Sequence, residues 1–153
     1  MVSLHRFLPP PVVLVLIALV MWGIARVTPA ASLWLPGATT LALIPAIAAG
    51  IIMALAAWQF RAHRTTINPM RPEDSDQLIR TGIYRYSRNS IYLADALLLA
   101  AWAIYLANPV AALGVPVFMG LIQRYQIRPE EAALTRRFGA VYTDYMNSVR
   151  RWL

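Results

Sequence analysis

The sequence predicts an all-α integral membrane protein with four transmembrane helices and a carboxyl-terminal amphipathic helix at the membrane interface. Hydrophobic residues make up 59% of the 153-residue chain and charged residues 14%, whereas soluble domains have about 25% charged residues. The hydrophobic residues form four runs. The basic residues, all arginine, lie mostly between those runs. The length is that of one domain.

The first two hydrophobic runs are predicted to be separate transmembrane helices. They extend from Pro9 to about Ile24 and from about Thr39 to Phe60. The second is about 20 residues long, which is enough to span a bilayer. Pro45 and Gly50 lie within it, and both residue types are tolerated in membrane helices.

The last two runs are predicted to form a helical hairpin. A polar segment, Arg61–Asn89, precedes them, and its prolines and Gly82 indicate a structured loop. The third run, Ser90–Leu106, reaches a turn signal at Asn108-Pro109, and the fourth extends from Val110 to Ile122. Both runs are short for independent spans, so we interpret them as a hairpin that either crosses the membrane with extended ends or dips into it and returns. Both versions bring the chain back to the side it left.

The distribution of arginine predicts the orientation. Residues 27–38 and the hairpin turn have no charged residue, whereas the amino terminus, the 61–89 loop and the carboxyl-terminal segment hold almost all the arginines. Arginine-rich segments remain on the cytoplasmic side of a membrane. We therefore expect both termini and the polar loop to be cytoplasmic.

The carboxyl-terminal segment has the periodicity of an amphipathic helix. Hydrophobic residues recur there at spacings of three and four, which places them on one helix face: Leu134, Phe138, Val141, Tyr145, Val149 and Trp152. We expect this helix to begin near Pro129, a favourable first-turn residue, and to lie on the cytoplasmic surface.

Composition also excludes several kinds of chemistry. The chain has no cysteine, so disulfides and thiolate nucleophiles are absent. His5 and His63 are the only histidines, and their number and spacing do not suit a metal site. The net charge of +7 is better explained by membrane topology and anionic lipid headgroups than by nucleic acid binding.

Unusual polar residues lie at the start of the third run. Asn89 and Ser90 are good helix-capping residues, and a helix start with Arg85 and Arg88 beside it suits a carboxylate or a phosphate. Alternatively, the arginines anchor the helix at lipid headgroups. Asp95 lies about two turns further on, where an ionisable group is costly. It is either functional or paired with a loop arginine or a tyrosine hydroxyl.

Glu130 and Glu131 form a second polar group at the same interface. Consecutive helical residues point about 100° apart, so we expect the two glutamates to have different roles. One would accept hydrogen bonds from a ligand, and the other would pair with Arg124, Arg128 or Arg88; alternatively, both are solvated.

Tyrosines also gather at this interface. They form either an interfacial belt or a wall for a flat or cationic ligand: Tyr84, Tyr86, Tyr92, Tyr125, Tyr142 and Tyr145.

Two blocks, "TGIYRYSRNSIYLAD" and "RPEEAALTRRFGAVYTDYMNSVRRWL", resemble the isoprenylcysteine carboxyl methyltransferase and phospholipid methyltransferase superfamily. The resemblance covers roughly residues 65–153, and "TTINPMRP" before the first block is similar to bacterial members. Ser90 replaces the proline of the family pattern. The matching positions are Gly82, Tyr84, Arg88, Asn89, Tyr92, Glu130, Glu131, Leu134, Phe138, Gly139, Tyr142 and Tyr145, followed by the basic and aromatic ending Arg151-Trp152.

The resemblance implies an S-adenosylmethionine-dependent methyltransferase in a bacterial inner membrane, with residues 1–60 as two membrane helices and 61–153 as the catalytic region. Arg88 and Glu131 are the implied catalytic residues, and Asp95 and Tyr145 contact the acceptor. A carboxylate acceptor needs no base, whereas an amine or thiol would need Glu130, Glu131 or Asp95. The implied cofactor-binding residues are Tyr84, Arg85, Arg88, Asn89, Tyr92, Glu130, Glu131 and Tyr142.

The acceptor stays open between an isoprenylcysteine carboxylate and a lipid or another small hydrophobic molecule. Two other functions are also considered. An NADPH-dependent membrane reductase of sterol-reductase-like fold would have more helices, and adjacent glutamates would repel its phosphates. A non-catalytic lipid-binding membrane subunit is supported only by Ser90 and by the arginine bias.

Overall fold

The computed structural model describes residues 9–62 and 78–153, and this part of the chain is helical without any strand. The segment "TTINPMRP" and the acidic residues of the polar loop lie outside the described ranges. The described residues form seven α-helices: α1 (Pro10–Val27), α2 (Ala38–Ala62), α3 (Ser90–Leu106), α4 (Pro109–Ala112), α5 (Gly114–Ile122), α6 (Arg128–Phe138) and α7 (Ala140–Ser148).

Three helical segments of the described chain are long and apolar enough to cross a membrane. They are α1, α2 and a continuous segment of 30 residues, Pro109–Phe138. The α3 helix is also apolar but has 17 residues. The outer faces of α1 and α2 expose leucine, isoleucine, valine and tryptophan. Such surfaces are suited to lipid rather than to water.

The fourth run does not end near Ile122 as the sequence suggested. The chain continues through a π-helical turn, Gln123–Ile127, directly into α6. Helix α6 thus begins at Arg128, next to Pro129 as predicted, but it continues the preceding helix without an intervening loop. Proline lacks the N–H that a regular α-helix would use here, and the wider π turn just before it relieves that conflict.

The predicted amphipathic helix is divided at Gly139. This residue has φ 55° and ψ −128°, a conformation that is essentially restricted to glycine. The break changes which side chains of α7 face inward. Tyr142 and Tyr145 are buried, whereas Val141, predicted to share the apolar face, is exposed.

Helix α3 lies at the centre of the fold. It packs along α2 and also contacts α1, α4 and α5. The buried residues of α2 are Ala42, Ala49 and Ala56, spaced seven apart, and small side chains let membrane helices approach closely. A second hydrophobic cluster joins α3 to α1 and α5 through Met21, Tyr92, Ala96, Leu99, Ala111, Phe118, Ile122 and Ile127.

Asn108 connects the hairpin turn to the segment after α1. Its Oδ1 accepts hydrogen bonds from the backbone N–H groups of Val110 and Ala111, both at 3.0 Å. Its Nδ2 donates to the carbonyl and hydroxyl oxygens of Thr28, both at 3.1 Å, and to Ser32 Oγ at 3.3 Å. The turn predicted at Asn108-Pro109 is confirmed, and the asparagine side chain is a helix cap.

At the other end of α3, a 3₁₀ turn at Gly82–Arg85 precedes the helix. Gly82 has φ +59°, and the Gln59 side chain of α2 packs against its Cα. Thr81 Oγ1 donates to Gln59 Oε1 at 3.2 Å. This turn places the Tyr84 ring in a small core with Ala56 and Ile79.

Candidate functional site

The start of α3 is bonded to the end of the chain. The backbone N–H of Arg88 donates to the Arg150 carbonyl at 3.1 Å, and Asn89 Nδ2 donates to the Arg151 carbonyl at 2.9 Å. Asn89 is the residue just before α3, the capping position, but its side chain makes no capping bond. Ser90 is fully buried and donates from Oγ to the Ser87 carbonyl at 3.0 Å. The helix start survives with serine in place of the expected proline.

Glu131 lies between two arginines. Its Oε1 accepts a hydrogen bond from Arg151 Nε at 3.0 Å, and its Oε2 accepts one from Arg151 Nη2 at 2.8 Å. Arg88 Nη1 lies 3.1 Å from the same Oε1. Paired bonds of this kind between arginine and a carboxylate are strong and directional. Both oxygens of Glu131 are therefore engaged by protein cations.

Arg88 retains unused donor capacity. Its side chain is 10% exposed, and its Nε and Nη1 have no hydrogen-bond partner among the described residues. The 3.1 Å approach of Nη1 to Glu131 is an ion pair whose angles do not suit a hydrogen bond. Buried donors without partners are rare and call for an explanation. An anionic ligand group would supply the missing acceptors.

Glu130 has a different environment from Glu131, as expected for adjacent helical residues. Its Oε1 accepts a hydrogen bond of 2.5 Å from the Tyr92 hydroxyl. The arrangement leaves Oε2 outside that bond. Glu130 is therefore the glutamate of the pair that can accept a further donor.

Three buried tyrosines complete the surroundings. The Tyr145 hydroxyl donates to the Tyr84 carbonyl at 2.6 Å, and the Tyr142 and Tyr145 rings lie 6.1 Å apart. Burial raises the pKa of Tyr84 and of Tyr145 above the ordinary value. Burial and the Glu131 carboxylate raise the pKa of Tyr142 to about 12, with Arg88 opposing the shift. These hydroxyls are neutral at physiological pH and act as hydrogen-bonding groups.

Asp95 is buried on α3, three residues after Tyr92 and so on a neighbouring part of the helix surface. Neither a loop arginine nor a tyrosine hydroxyl bonds to it within residues 9–62 and 78–153. The structural pairing considered for this residue is thus not found in the described chain. Membrane-buried carboxylates without partners are uncommon.

Arg85 is separate from the other predicted site residues, because it is exposed at the end of the 3₁₀ turn. Arg151 was missed as a site residue. Only the basic ending of the family pattern pointed to it, and the residues alone do not distinguish it from Arg150. No group of metal-ligating residues occurs in the described part of the chain.

The described residues form an all-helical fold with long apolar helices and a buried charged cluster at one end, which is the architecture of an integral membrane protein. A sequence model of the phospholipid methyltransferase family matches residues 37–141, which include Arg88, Tyr92, Glu130 and Glu131. The chain belongs to this family of membrane methyltransferases, and the resemblance found in the sequence is confirmed.

A shorter relative is also similar to the chain. Over 63 residues, the chain is 44% identical to an uncharacterised protein of Haemophilus influenzae. The match covers 41% of this chain and all of the relative. No solved structure is significantly similar to the chain.

Proposed function

We propose that this protein transfers a methyl group from S-adenosylmethionine to a lipophilic acceptor at the cytoplasmic face of a bacterial inner membrane. The observation that carries the proposal is that the buried Nε and Nη1 of Arg88 lack hydrogen-bond partners in the described structure. The family membership supports the reaction class. The apolar helices around the site support a lipophilic acceptor.

The proposed topology has four membrane helices with both termini in the cytoplasm. The α3 helix and the Pro109–Phe138 segment form the hairpin, and the part of that segment beyond the π turn, with α7, lies at the interface. The uncharged connection after α1 and the arginine-rich opposite end support this orientation. The Arg88 site is then cytoplasmic and close to the lipid surface.

The cluster suits the carboxylate of the cofactor. Arg88, Arg151 and Glu131 together carry one excess positive charge, and a buried carboxylate is stabilised by charge-assisted hydrogen bonds. Arg88 is the residue that would bind it. Glu131, whose oxygens are already engaged, would hold Arg88 in place rather than receive the ligand. This assigns Glu131 a role different from that of a catalytic base.

Glu130 and the tyrosines suit the remaining groups of the cofactor. The second oxygen of Glu130 would accept hydrogen bonds from the ribose hydroxyls or from the ammonium group. The faces of Tyr142 and Tyr145 would pack against the adenine and the positively charged sulfur, because aromatic faces attract cations. Tyr84, whose ring lies in the core with Ala56 and Ile79, would hold Tyr145 in place through its carbonyl.

When bound, S-adenosylmethionine supplies an electrophilic methyl group. The protein contributes alignment and the exclusion of water, and well-oriented reactions gain about 7–11 kcal/mol from alignment. An acceptor carboxylate needs no base. An acceptor amine or thiol has to lose a proton. We assign the role of the base that accepts it to Asp95, the buried carboxylate without a described partner.

Calorimetric titration of the detergent-purified protein with S-adenosylhomocysteine tests this function. We expect binding by the wild type, and we expect Arg88→Gln to weaken it at least 30-fold, about 2 kcal/mol, because the ligand carboxylate loses its cationic partner. Glu130→Gln should also weaken binding. Arg136→Gln is the matched control, since Arg136 is exposed on α6, and it should bind like the wild type.

A parallel titration with NADPH separates the methyltransferase from the reductase. Binding of NADPH without S-adenosylhomocysteine would replace the proposal with a reductase. Binding of neither compound by a folded sample would favour a non-catalytic subunit. If S-adenosylhomocysteine binds, a screen of lipid amines, isoprenoid thiols and prenylated carboxylates, repeated with Asp95→Asn, would identify the acceptor class.

A further inference from the structure

The last residues of the chain cross the site without regular secondary structure. Helix α7 ends at Ser148, and Val149 adopts φ −125° and ψ 134°. We call residues Val149–Trp152 the strap. Its backbone carbonyls at Arg150 and Arg151 accept the hydrogen bonds from Arg88 and Asn89 described above. Trp152 Nε1 donates to Gln123 Oε1 at 3.2 Å, which ties the strap to the π turn as well.

Arg151 is the strap residue that reaches into the charged cluster. In the described structure, Arg151 donates both of the hydrogen bonds that the Glu131 carboxylate accepts. The contact of Glu131 with Arg88 is an ion pair without hydrogen-bond geometry. Without Arg151, the Glu131 carboxylate would be free to rotate toward Arg88 and to occupy its open donors.

Arg150 and Arg151 provide an internal comparison. They are adjacent, chemically identical and similarly bonded through their carbonyl groups. Arg150 is exposed, whereas the side chain of Arg151 is 33% exposed and bonded to Glu131. A difference between substitutions at these two positions therefore reports on the Glu131 contact rather than on net charge or on the strap backbone.

We propose that Arg151 is a positioning residue for the cofactor site, and that it keeps Glu131 from occupying the Arg88 donors that bind the cofactor carboxylate. This inference rests on the function proposed above. It also implies that the site is complete only when the strap is bonded to the start of α3.

The test compares the full-length variants Arg151→Gln, Arg151→Lys and Arg150→Gln by calorimetric titration with S-adenosylhomocysteine. At metal sites, mutation of a residue that orients a ligating group through a hydrogen bond lowers affinity about 10–100-fold. For Arg151→Gln we expect the affinity for S-adenosylhomocysteine to fall about tenfold. Arg151→Lys retains the charge but not the paired geometry, so it should bind with intermediate affinity. Arg150→Gln should bind within about twofold of the wild type.

Amide hydrogen exchange without ligand provides a second measurement. The Arg88 amide, bonded to the strap, should exchange about tenfold faster in Arg151→Gln, because the strap opens more often. The Arg150→Gln variant should leave that rate unchanged. If Arg151→Gln does not fold, the Arg151→Lys variant is compared with Arg150→Gln and the wild type instead.

The outcomes separate this inference from the proposed function. A wild type that binds S-adenosylhomocysteine together with an Arg151→Gln variant that binds equally well would overturn the positioning role alone. Tighter binding by Arg151→Gln would also overturn it, since Arg151 would then compete with the ligand. A folded wild type that does not bind S-adenosylhomocysteine would overturn both.

Discussion

The Tyr92 hydroxyl donates a 2.5 Å hydrogen bond to Oε1 of Glu130 and thereby joins the start of α3 to the start of α6. Hydrogen bonds from a hydroxyl to a carboxylate are short and strong. The two residues are 38 positions apart in the chain, and they come from the two sequence blocks that carry the family resemblance. One contact thus supports both the fold and the candidate site.

The Tyr92→Phe variant should lower the free energy of unfolding by about 1–3 kcal/mol, since the buried oxygen of Glu130 loses its donor. Equilibrium unfolding in mixed micelles measures this loss. Tyr86→Phe is the control, because Tyr86 is 70% exposed, and it should be neutral. An equal loss in both variants would show that the Glu130 bond does not stabilise the fold.

The Gly82→Ala variant should lower the free energy of unfolding by about 1–2 kcal/mol, because an alanine at φ +59° is strained. The new Cβ would also displace the Gln59 side chain and break its bond to Thr81. The same unfolding experiment applies. Gly50→Ala, in α2 with no atom near the added Cβ, should cause no loss, and a comparable loss there would contradict the explanation.

The free energy of unfolding should decrease as the pH rises above about 10, and Tyr142 should cause part of that decrease. Its pKa is raised to about 12 in the folded protein, against about 10 in an unfolded chain. The contribution of the protonated Tyr142 hydroxyl to the free energy of unfolding is therefore complete below pH 10 and is lost between about pH 10 and 12. The reason is that the hydroxyl loses its proton at a lower pH in the unfolded chain than in the folded protein. The expected slope is about 1.4 kcal/mol per pH unit.

The Tyr142→Phe variant tests this assignment through unfolding measurements from pH 8 to pH 11. It should reduce the alkaline slope without abolishing it, since Tyr84 and Tyr145 also have raised pKa values. A slope identical to that of the wild type would mean that Tyr142 ionises in the folded protein as easily as in the unfolded chain.

The Asn108→Ala variant should lower the free energy of unfolding by about 2–3 kcal/mol, because it removes a helix cap and the amide donor that Thr28 and Ser32 share. Asn108 lies beyond the far end of the 17-residue α3, about 26 Å from the start of that helix. Affinity for S-adenosylhomocysteine in the folded sample should therefore not change. Asn147→Ala, exposed on α7, is the stability control.

Much of the apolar architecture could be predicted from the sequence. The third run was predicted at Ser90–Leu106, and α3 has these bounds, because capping residues precede it and Asn108-Pro109 follows it. The continuation past Ile122 could not be predicted in this way. Pro129 followed by two glutamates has the composition of a helix start, and a π turn has no composition of its own.

The site was partly predictable. Adjacent glutamates on a helix had to point in different directions, and the Arg88–Glu131 pair was one of the alternatives considered. The choice of Arg151 over Arg150 depends on the extended backbone at Val149, which no helical periodicity specifies. Because of the break at Gly139, Tyr142 rather than Val141 lies on the buried face of α7. A continuous helical repeat could not predict this.

The π turn at Gln123–Ile127 has a consequence for how this chain tolerates insertions and deletions. A π turn closes with one more residue than an α turn. An α turn covers nearly the same rotation with one residue fewer, so loss of a single codon there would leave the following residues facing almost the same way. Loss of a codon between the π turn and Glu130 would instead rotate Glu130 by about 100°, away from Tyr92. Length variation between homologues should therefore be found in the polar loop or at the π turn, and it should avoid residues 128–130.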